Sequence, residues 1–451
     1  MHLTPWFFRC IGCRRELAPD RPYYTCPDCG QLLVVERDLA RLKARFPSRL
    51  KFINRVKPCE PVAHYPLGSG VWFWRDLLLP EFPLAHVLSL HEGNTDLWEP
   101  PGWLKRDIGF DRLYIKCEGA APTGSFKDRG MSVAISDALR LQTEQPQLGI
   151  RYVICASTGD TSASAARYSA YVRDRLTCVV LIPHGRISPA QLYQAQDAGA
   201  IVLALEDSFD GCMRVVQRYC STHPEAVLVN SKNPLRVVGQ ESISLEIFRD
   251  LGYRAPDWLV IPCGNAGNIT AQLNAWCLLH DLGIIECLPR IVVAQTAVAS
   301  TLVRWLRGGG ERYEPGKPEP TIASAMNIQD PVSFPRFREL ASRFIVVGYD
   351  VDEDAIAETR ARFNRAGAGL CPQGAVAADA ALQARAEGII AASDMVVMLA
   401  TASDLKFVDA GVAYHQREPA ASYSNRHRVI PATLGAVEDA LAPAMSSASH
   451  C

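Results

Sequence analysis

Short apolar segments alternate with segments of helical periodicity along most of the chain after residue 149. Each apolar run is rich in β-branched residues and is followed by a stretch whose apolar positions recur every three to four residues. Continuous apolar strands are typical of parallel sheets that helices cover on both faces. The alternation therefore predicts an α/β fold. The predicted strands are 152–156, 178–183, 201–205, 227–229, 258–262, 291–294, 344–348 and 395–399, and the predicted helices are 161–173, 190–197, 209–220, 237–250, 268–280 and 353–366.

The first 35 residues follow a different pattern, which two pairs of cysteines dominate. Cys10 and Cys13 form one C-x-x-C knuckle, and Cys26 and Cys29 form a second one after twelve intervening residues. This spacing is typical of a zinc ribbon, in which four thiolates surround one structural zinc ion in a closed tetrahedral shell. We therefore expect a zinc ribbon at 1–35 with Zn²⁺ on these four thiolates. Four unrelated buried or redox-active thiols are the alternative.

Composition narrows the class of protein. The chain has 451 residues, of which 48% are hydrophobic and 21% charged, and its formal net charge is −1. These values exclude collagen-like, disordered and small disulfide-rich proteins. A nearly neutral chain has no global field for a phosphate backbone, so no nucleic-acid partner is expected. No apolar run is long enough to span a membrane, no secretory leader is visible, and the 15 cysteines then favour a reducing, cytoplasmic location.

Three polar, glycine-rich turns precede predicted helices, where α/β sheets bind their ligands. The turn 122–130 contains Lys127, which could be a phosphate clamp, a salt-bridge partner or a Schiff-base nucleophile. We expect the helix after this turn to begin at Met131. The turn 156–162 is rich in hydroxyl groups and could cradle a carboxylate or simply cap a helix. The turn 263–268 could turn backbone N–H groups towards a phosphate.

An amine, a hydroxyl-rich cradle and a phosphate turn together resemble the site of the fold-type II pyridoxal-phosphate enzymes. From about residue 91 to its end the chain resembles the threonine synthases, most of all the plant-type branch. The N-terminal ribbon also resembles one that some threonine synthases carry. The motifs that carry the resemblance are HEGNTDLW (91–98), TGSFKDRGM (123–131), ASTGDTSAS (156–164), FDGCM (209–213), VNSKNPLR (229–236), CGNAGN (263–268), TIASAMNIQDPVS (321–333) and ATASDLKF (400–407).

The resemblance implies a domain organisation. Two open parallel-sheet αβα domains would hold the cofactor between them, next to the small N-terminal zinc ribbon. A connecting arm would span 36–90, the large cofactor-binding domain would combine 91–130 with 246–451, and the small domain would cover 131–245. The resemblance further implies a homodimer.

The resemblance also implies the roles of site residues. The catalytic residue would be Lys127, which would form a Schiff base with pyridoxal 5′-phosphate and would have to lose its proton in a desolvated site. Asp160 would face the phenolic oxygen of the cofactor, and Thr401 would bond the pyridine nitrogen. The residues around the cofactor would be Lys127, Asp160, Gly264, Asn265, Ala266, Gly267, Asn268 and Thr401. The residues around the phosphorylated amino-acid substrate would be Ser157, Thr158, Thr161, Asn230, Ser231 and Arg236.

The implied reaction converts O-phosphohomoserine and water to threonine and phosphate by γ-elimination and β-addition. Two departures from the family pattern bear on its outcome, because Ser403-Asp404 and Gln373 stand where relatives have histidines. A related elimination to 2-oxobutyrate, or a replacement on a phosphorylated homoserine-like substrate in a specialised biosynthetic pathway, is the alternative. A catalytically dead zinc-ribbon binding protein is the alternative from another class, and the intact Lys127 and the neutral charge oppose it.

Overall fold

The computed structural model describes residues 4–56, 66–68, 70–185, 189–317 and 319–447. Parts of the predicted connecting arm, 57–65 and 69, lie outside these ranges, as do the ends of the chain. Within these ranges no helix has the length and apolar character needed to cross a membrane. The strands are β1 Trp6–Cys10, β2 Glu16–Leu17, β3 Leu33–Arg37, β4 Leu97–Trp98, β5 Arg112–Cys117, β6 Tyr152–Ala156, β7 Thr177–Pro183, β8 Ile201–Leu205, β9 Ala226–Leu228, β10 Trp258–Pro262, β11 Arg290–Thr296, β12 Val346–Val351 and β13 Met395–Ala400.

Helices connect most of the strands and cover the sheets. They include long helices between the parallel strands and short ones near the N-terminal end. The helices are α1 Leu39–Arg45, α2 Arg49–Val56, α3 Gly70–Phe73, α4 Arg75–Leu78, α5 Gly102–Ile108, α6 Lys127–Glu144, α7 Asp160–Tyr171, α8 Pro189–Asp197, α9 Phe209–Thr222, α10 Pro234–Asp250, α11 Gly267–Asp281, α12 Thr301–Arg307, α13 Phe334–Ala341, α14 Glu353–Asn364, α15 Pro372–Ala386, α16 Val408–His415 and α17 Leu434–Ser447.

Two sheets form the α/β body that the sequence predicts. The larger sheet has the order β12-β11-β10-β13-β5-β4, and the smaller one has the order β8-β7-β6-β9. All neighbours in the smaller sheet are parallel. The larger sheet is mixed, because β4 runs antiparallel to β5 at its edge, with Leu97 opposite Lys116. The expectation of two purely parallel sheets is therefore wrong at this edge, where a two-residue strand pairs without a crossover connection.

Some element boundaries differ from the prediction. Helix α6 begins at Lys127, and not at Met131, because the preceding turn is already held in place. The carboxylate of Asp128 accepts hydrogen bonds from the backbone N–H and the hydroxyl group of Thr123, both at 2.7 Å. Strand β12 begins and ends later than predicted, and β9 is shifted by one residue. The earlier start of α6 places Lys127 in the first helical turn.

The N-terminal segment forms an antiparallel three-stranded sheet in the order β2-β1-β3. A buried ion pair of 2.6 Å between Arg37 on β3 and Glu241 on α10 joins this sheet to the α/β body. The segment after it is more than a connecting arm, because Phe52 on α2 packs against Phe248, and Trp72 on α3 donates a hydrogen bond to Ser132. The predicted domain boundaries stay a prediction.

A fully buried ion network holds α6 against β5 and α10. Arg129 pairs with Glu118 at 2.6 Å and with Glu246 at 2.7 Å, and Lys116 also pairs with Glu246 at 2.7 Å. The two helices approach so closely that a Cβ atom on Gly239 would collide with the backbone of Arg129. Arg129 and Lys116 together hold the pKa of Glu246 below its usual range, although burial opposes them. The network therefore fixes the first turn of α6.

We expect Glu246→Gln to lower the free energy of unfolding by about 3 kcal/mol, because it leaves Arg129 and Lys116 with one fully buried carboxylate, Glu118, and the partly exposed Asp250. Since the folded pKa of Glu246 is depressed, its contribution is present above the pKa of the unfolded chain and is lost as the pH falls below that value. Urea denaturation at pH 7 measures the change. Glu144→Gln, at an exposed position of α6, is the control. Equal stability of the two variants would contradict the role of the network.

Candidate functional site

Lys127 lies near the carboxyl end of β13, an inner strand of the larger sheet. The backbone N–H of Phe126 donates to the carbonyl oxygen of Thr401 at 3.1 Å, and Ser125 forms an isolated β-bridge with Ala402. These backbone contacts connect the segment before α6 to the segment after β13. This contact brings together Lys127 and Thr401, which are far apart in sequence and which the sequence analysis assigns to one site.

The environment of Lys127 removes much of its tendency to hold a proton. Burial lowers the pKa of its amine to about 7, and the positive charges of Arg236 and Lys406 act in the same direction. The carboxylate of Asp160 opposes them. The amine lies 3.6 Å from the centre of the Phe126 ring. A neutral, nucleophilic lysine is therefore accessible near pH 7.

Asp160 is the first residue of α7 and carries a partner that the sequence analysis did not assign. Lys406, in the turn after β13, pairs with Asp160 at 2.7 Å and also donates to the carbonyl oxygen of Thr123 at 2.9 Å. Both side chains of this ion pair are largely buried. The motif ATASDLKF contains Lys406. A local motif does not reveal its pairing with Asp160, because the two residues are far apart in sequence.

The turn after β6 combines the two interpretations that its sequence allowed. The hydroxyl oxygen of Ser157 accepts hydrogen bonds from the backbone N–H groups of Gly159 and Ser162, both at 3.2 Å. Ser157 therefore satisfies a backbone N–H in the first turn of α7, whose N-cap residue is Gly159. Its own O–H remains a donor, and Thr158 and Thr161 are half-buried on the same turn. Capping and binding of a carboxylate are compatible here.

The turn after β10 is shaped for an anion at the start of α11. A Cβ atom on Gly264 would lie 2.9 Å from the carbonyl oxygen of Ala325, so a larger residue would disturb the turn. Ala266 has a left-handed backbone with φ of 56°, and α11 begins directly after it, at Gly267. The side-chain N–H₂ group of Asn268 is buried and has no hydrogen-bond partner among the residues that the structure describes. An unsatisfied donor beside a helix N-terminus fits a phosphate group.

Asn265 serves the turn itself. Its side-chain oxygen accepts a hydrogen bond from the backbone N–H of Val332 at 2.7 Å, and its carbonyl oxygen accepts one from Ser333 at 3.2 Å. The side chain therefore ties the turn to the segment before α13. Its backbone N–H remains the group that it could offer to a ligand.

Arg236, on α10, is a buried cation that lacks a carboxylate partner in the described ranges. Its side chain donates to the carbonyl oxygen of Val229, while the Nε–H group has no partner. Burial lowers the pKa of its guanidinium to about 10. Since Arg236 also acts on the pKa of Lys127, the two cations share one region of the site. A buried, unpaired guanidinium favours an anionic ligand.

Asn230 and Ser231 lie on the loop that precedes Arg236. The side chain of Asn230 accepts a hydrogen bond from the backbone N–H of Ala156 at 3.0 Å and donates to its carbonyl oxygen at 2.7 Å. Asn230 thus joins this loop to the end of β6, next to Ser157. Its amide is engaged by the protein, which sequence reasoning did not foresee, and one N–H of the amide is left for a ligand.

The residues that depart from the family pattern also surround Thr401. The thiol of Cys371 lies 3.9 Å from the hydroxyl of Thr401, and Leu370 forms an isolated β-bridge with Ser403. Gln373 follows in the first turn of α15, and neither polar atom of its buried amide has a hydrogen-bond partner within the described part of the chain. These contacts place Ser403, and with it Asp404, beside Thr401.

The four N-terminal cysteines converge as their spacing predicts. Their sulfur atoms all lie within 4.8 Å of one another. The distance from Cys10 to Cys29 is 3.4 Å, and that from Cys13 to Cys26 is 3.6 Å. Four thiolates around a tetrahedral zinc ion would be separated by about 3.8 Å, given zinc–sulfur bonds of about 2.3 Å. The cluster has the dimensions of a metal site.

Comparison with solved structures agrees with the fold. Threonine synthase from Escherichia coli superposes with a TM-score of 0.69 over 96% of this chain and 94% of that chain, at 19% sequence identity. Threonine synthase from yeast gives a TM-score of 0.64 over 99% and 100% of the two chains, at 17% identity. At these identities the likeness concerns the fold.

Sequence comparison is more specific. A chloroplastic protein of Arabidopsis thaliana named threonine synthase 2 is 35% identical over 420 residues, which cover 91% of this chain and 79% of that protein. The threonine synthase of Methanocaldococcus jannaschii is 34% identical over 407 residues, or 90% of this chain and 94% of that protein. A family model described as "Pyridoxal-phosphate dependent enzyme" matches residues 88–402. The chain belongs to this family of pyridoxal-phosphate-dependent enzymes, with threonine synthases as its curated relatives.

Proposed function

We propose that this protein is a pyridoxal-phosphate-dependent threonine synthase, a carbon–oxygen lyase that converts O-phosphohomoserine and water to threonine and phosphate. The observation that carries the proposal is the desolvated amine of Lys127 in the same site as the buried guanidinium of Arg236, whose Nε–H group has no partner in the described ranges. The amine suits a carbonyl cofactor, and the guanidinium suits a phosphorylated substrate. The identities of 34–35% to threonine synthases support the same reaction.

The residues present fit the cofactor. The turn around Gly264 and the unsatisfied donor of Asn268 suit its phosphate group. Thr401, whose hydroxyl is buried next to β13, suits its ring nitrogen, and Asp160 suits its phenolic oxygen. The strands β6, β10 and β13 bring these groups to the carboxyl ends of the two sheets, where open α/β folds bind ligands.

Proton transfer is the task that this chain assigns to Lys127. The bound cofactor supplies an electron-accepting ring that makes the protons next to the substrate amine acidic. An amine with a pKa of about 7 can take up a proton and return it at similar cost near neutral pH. Lys127 lies in the first turn of a helix that buried ion pairs fix, so its reach is limited to one side of the site.

The substrate groups would be divided between two loops. Ser157 has a free O–H for the carboxylate, and Thr158 and Thr161 extend the same turn. Arg236 would bind the phosphate of the substrate, and Ser231 lies on the loop before it. Because the phosphate must leave, a guanidinium that also stabilises the released anion would favour the elimination step.

Two further parts belong to the proposal. The four clustered thiols would hold a structural Zn²⁺ ion, because their separation fits a four-thiolate shell. The protein would also be a homodimer. Large apolar side chains that are exposed near the C-terminal end, and that a second copy would cover, support it. They include Leu405, Val408, Val412, Leu434 and Leu441.

The pH dependence of cofactor capture tests the environment of Lys127. With the apoprotein, we expect the rate of capture to rise with pH around a midpoint near 7, because a nucleophilic amine must be uncharged. An ordinary lysine would give a midpoint at about 10.4. Stopped-flow absorbance in the visible region measures the rate, and Lys127→Ala should capture no cofactor covalently.

Two variants should move this midpoint in opposite directions. Lys406→Met should raise it, because a cation that disfavours protonation of Lys127 is removed. Asp160→Asn should lower it, because the carboxylate that favours protonation is lost. Lys43→Met, at an exposed position of α1, should leave it unchanged. Shifts in the same direction for the first two variants would contradict the assigned electrostatics.

Incubation with O-phosphohomoserine tests the reaction. We expect phosphate and threonine in equal amounts, with Arg236→Met raising the KM at least about ten-fold, since a charge-assisted bidentate contact is lost. Arg218→Met, at an exposed position of α9, is the control. Phosphate release is measured by a coupled assay and the product by mass spectrometry.

The identity of the product separates the proposed reaction from its alternative. Release of phosphate together with 2-oxobutyrate would show that the enzyme catalyses the elimination alone. This alternative is considered because Ser403-Asp404 and Gln373 stand where relatives have histidines. No phosphate release at all would reject the substrate.

Elemental analysis tests the metal site. We expect about one zinc ion per chain in the purified protein and a large loss of zinc in Cys13→Ser and Cys29→Ser, since a four-thiolate shell needs every ligand. Cys287→Ser changes an exposed cysteine outside the cluster and serves as the control. Zinc content that is equal in all three variants would refute the site.

A further inference from the structure

We propose that the N-terminal ribbon supports the substrate-binding site by holding the loop 228–233, called here the substrate loop. Two residues, Arg336 and Tyr24, connect the ribbon to this loop. Both are therefore positioning residues for substrate binding. The inference rests on the proposed function, since it assigns this loop to the substrate. It goes beyond that function by giving the ribbon a part in positioning the substrate loop.

Arg336 connects three segments that are remote in sequence. It lies on α13 and is almost completely buried, with 1% of its surface exposed. Its Nε–H group donates to the carbonyl oxygen of Leu33 on β3 at 2.8 Å. Its two other nitrogens donate to the carbonyl oxygens of Ser231 at 3.1 Å and Lys232 at 2.9 Å. One guanidinium thus joins the ribbon to two consecutive peptide units of the substrate loop.

The partners of Arg336 are unusual for a buried cation. They are backbone carbonyl oxygens and, at 3.5 Å, the hydroxyl of Ser333. Burial lowers the pKa of its guanidinium to about 9, because the charged form is desolvated there. A planar fork with donors in fixed directions can orient three carbonyl groups at once, which an ammonium group cannot do. The arrangement is therefore suited to holding backbone in place.

Tyr24 makes a second tie between the ribbon and the same loop. Its hydroxyl oxygen accepts a hydrogen bond from the backbone N–H of Leu228 at 2.8 Å, at the end of β9. The carbonyl oxygen of Leu228 in turn accepts a hydrogen bond from the side chain of Asn233 at 3.0 Å. Tyr24 lies between the two cysteine knuckles, so the start of the loop is bonded directly to the ribbon, while Ser231 and Lys232 are connected to it through Arg336.

The opposite side of the loop faces the proposed substrate groups. Asn230 bonds the backbone of Ala156, which precedes Ser157 in the carboxylate cradle. The segment before α13 also bonds Asn265 in the proposed phosphate turn. A displacement of α13 or of the ribbon would therefore reach the substrate loop and the neighbouring turn together.

Three variants of the holoenzyme test the inference. We expect Arg336→Met to raise the KM for O-phosphohomoserine about ten-fold, because small displacements of positioning groups weaken productive binding strongly. Arg336→Lys should recover part of this loss by keeping one donor and the charge. Tyr24→Phe should raise the KM roughly three-fold through the loss of one hydrogen bond. In all three variants kcat should change less than KM, and the visible absorbance of the cofactor should persist.

Arg338→Met is the matched control, since this arginine lies on the same helix and is exposed. Hydrogen exchange of peptides that cover 228–233 gives a readout that needs no substrate. Exchange should become faster in Arg336→Lys and Tyr24→Phe, and remain unchanged in the control. If Arg336→Met does not fold, these two variants decide the matter.

The outcomes separate this inference from the proposed function. A wild-type enzyme that releases no phosphate would reject the proposed function, while hydrogen exchange would still decide whether the ribbon holds the loop. A wild-type enzyme that releases phosphate, together with unchanged KM and unchanged exchange in Arg336→Lys and Tyr24→Phe, would overturn the inference alone.

Discussion

The buried ion network around Arg129 fixes the place from which Lys127 acts. Arg129 follows Lys127 by two positions in the first turn of α6, and its carboxylate partners are Glu118, directly after β5, and Glu246 on α10. Two cations and two carboxylates balance there without solvent, and such a network specifies one arrangement because each unpaired charge would be costly. The reactive amine can therefore remain partly desolvated and still be held in a defined direction. If this turn were flexible, the amine of Lys127 would be solvated again and would return to its ordinary pKa.

The sequence was informative wherever structure depends on neighbouring residues. The strands at 152–156, 201–205 and 258–262 were predicted with their observed limits, because continuous apolar runs leave few alternatives. Periodicity predicts the start of α6 too late, because it does not contain the hydrogen bonds from Thr123 to Asp128. Strand β4 was not predicted, since its pairing with β5 depends on tertiary contacts.

The residues of the candidate site also divide into those that local motifs predict and those that depend on tertiary contacts. Motifs identified Lys127, the turn around Gly264 and the cysteine cluster, since each is local in sequence. Motifs could not show that Lys406 pairs with Asp160, because that contact joins residues 246 positions apart. Ser157 and Asn230 are also engaged in contacts that motifs do not show. Both spend part of their hydrogen-bonding capacity on the backbone, and this use fixes the orientation of what remains for a ligand.

Local charge, and not the net charge of −1, determines which ligand the site favours. Two cations, Arg236 and Lys406, and one carboxylate, Asp160, act on the amine of Lys127, and Asp160 is paired with Lys406. Burial raises the pKa of the neighbouring Asp128, although hydrogen bonds from Thr123 oppose this shift. A buried excess of positive charge is costly unless anions enter, and phosphate groups carry two charges each near neutral pH. The cofactor and the proposed substrate each bring one such group, so their binding would relieve the same electrostatic cost that keeps the amine of Lys127 easy to deprotonate.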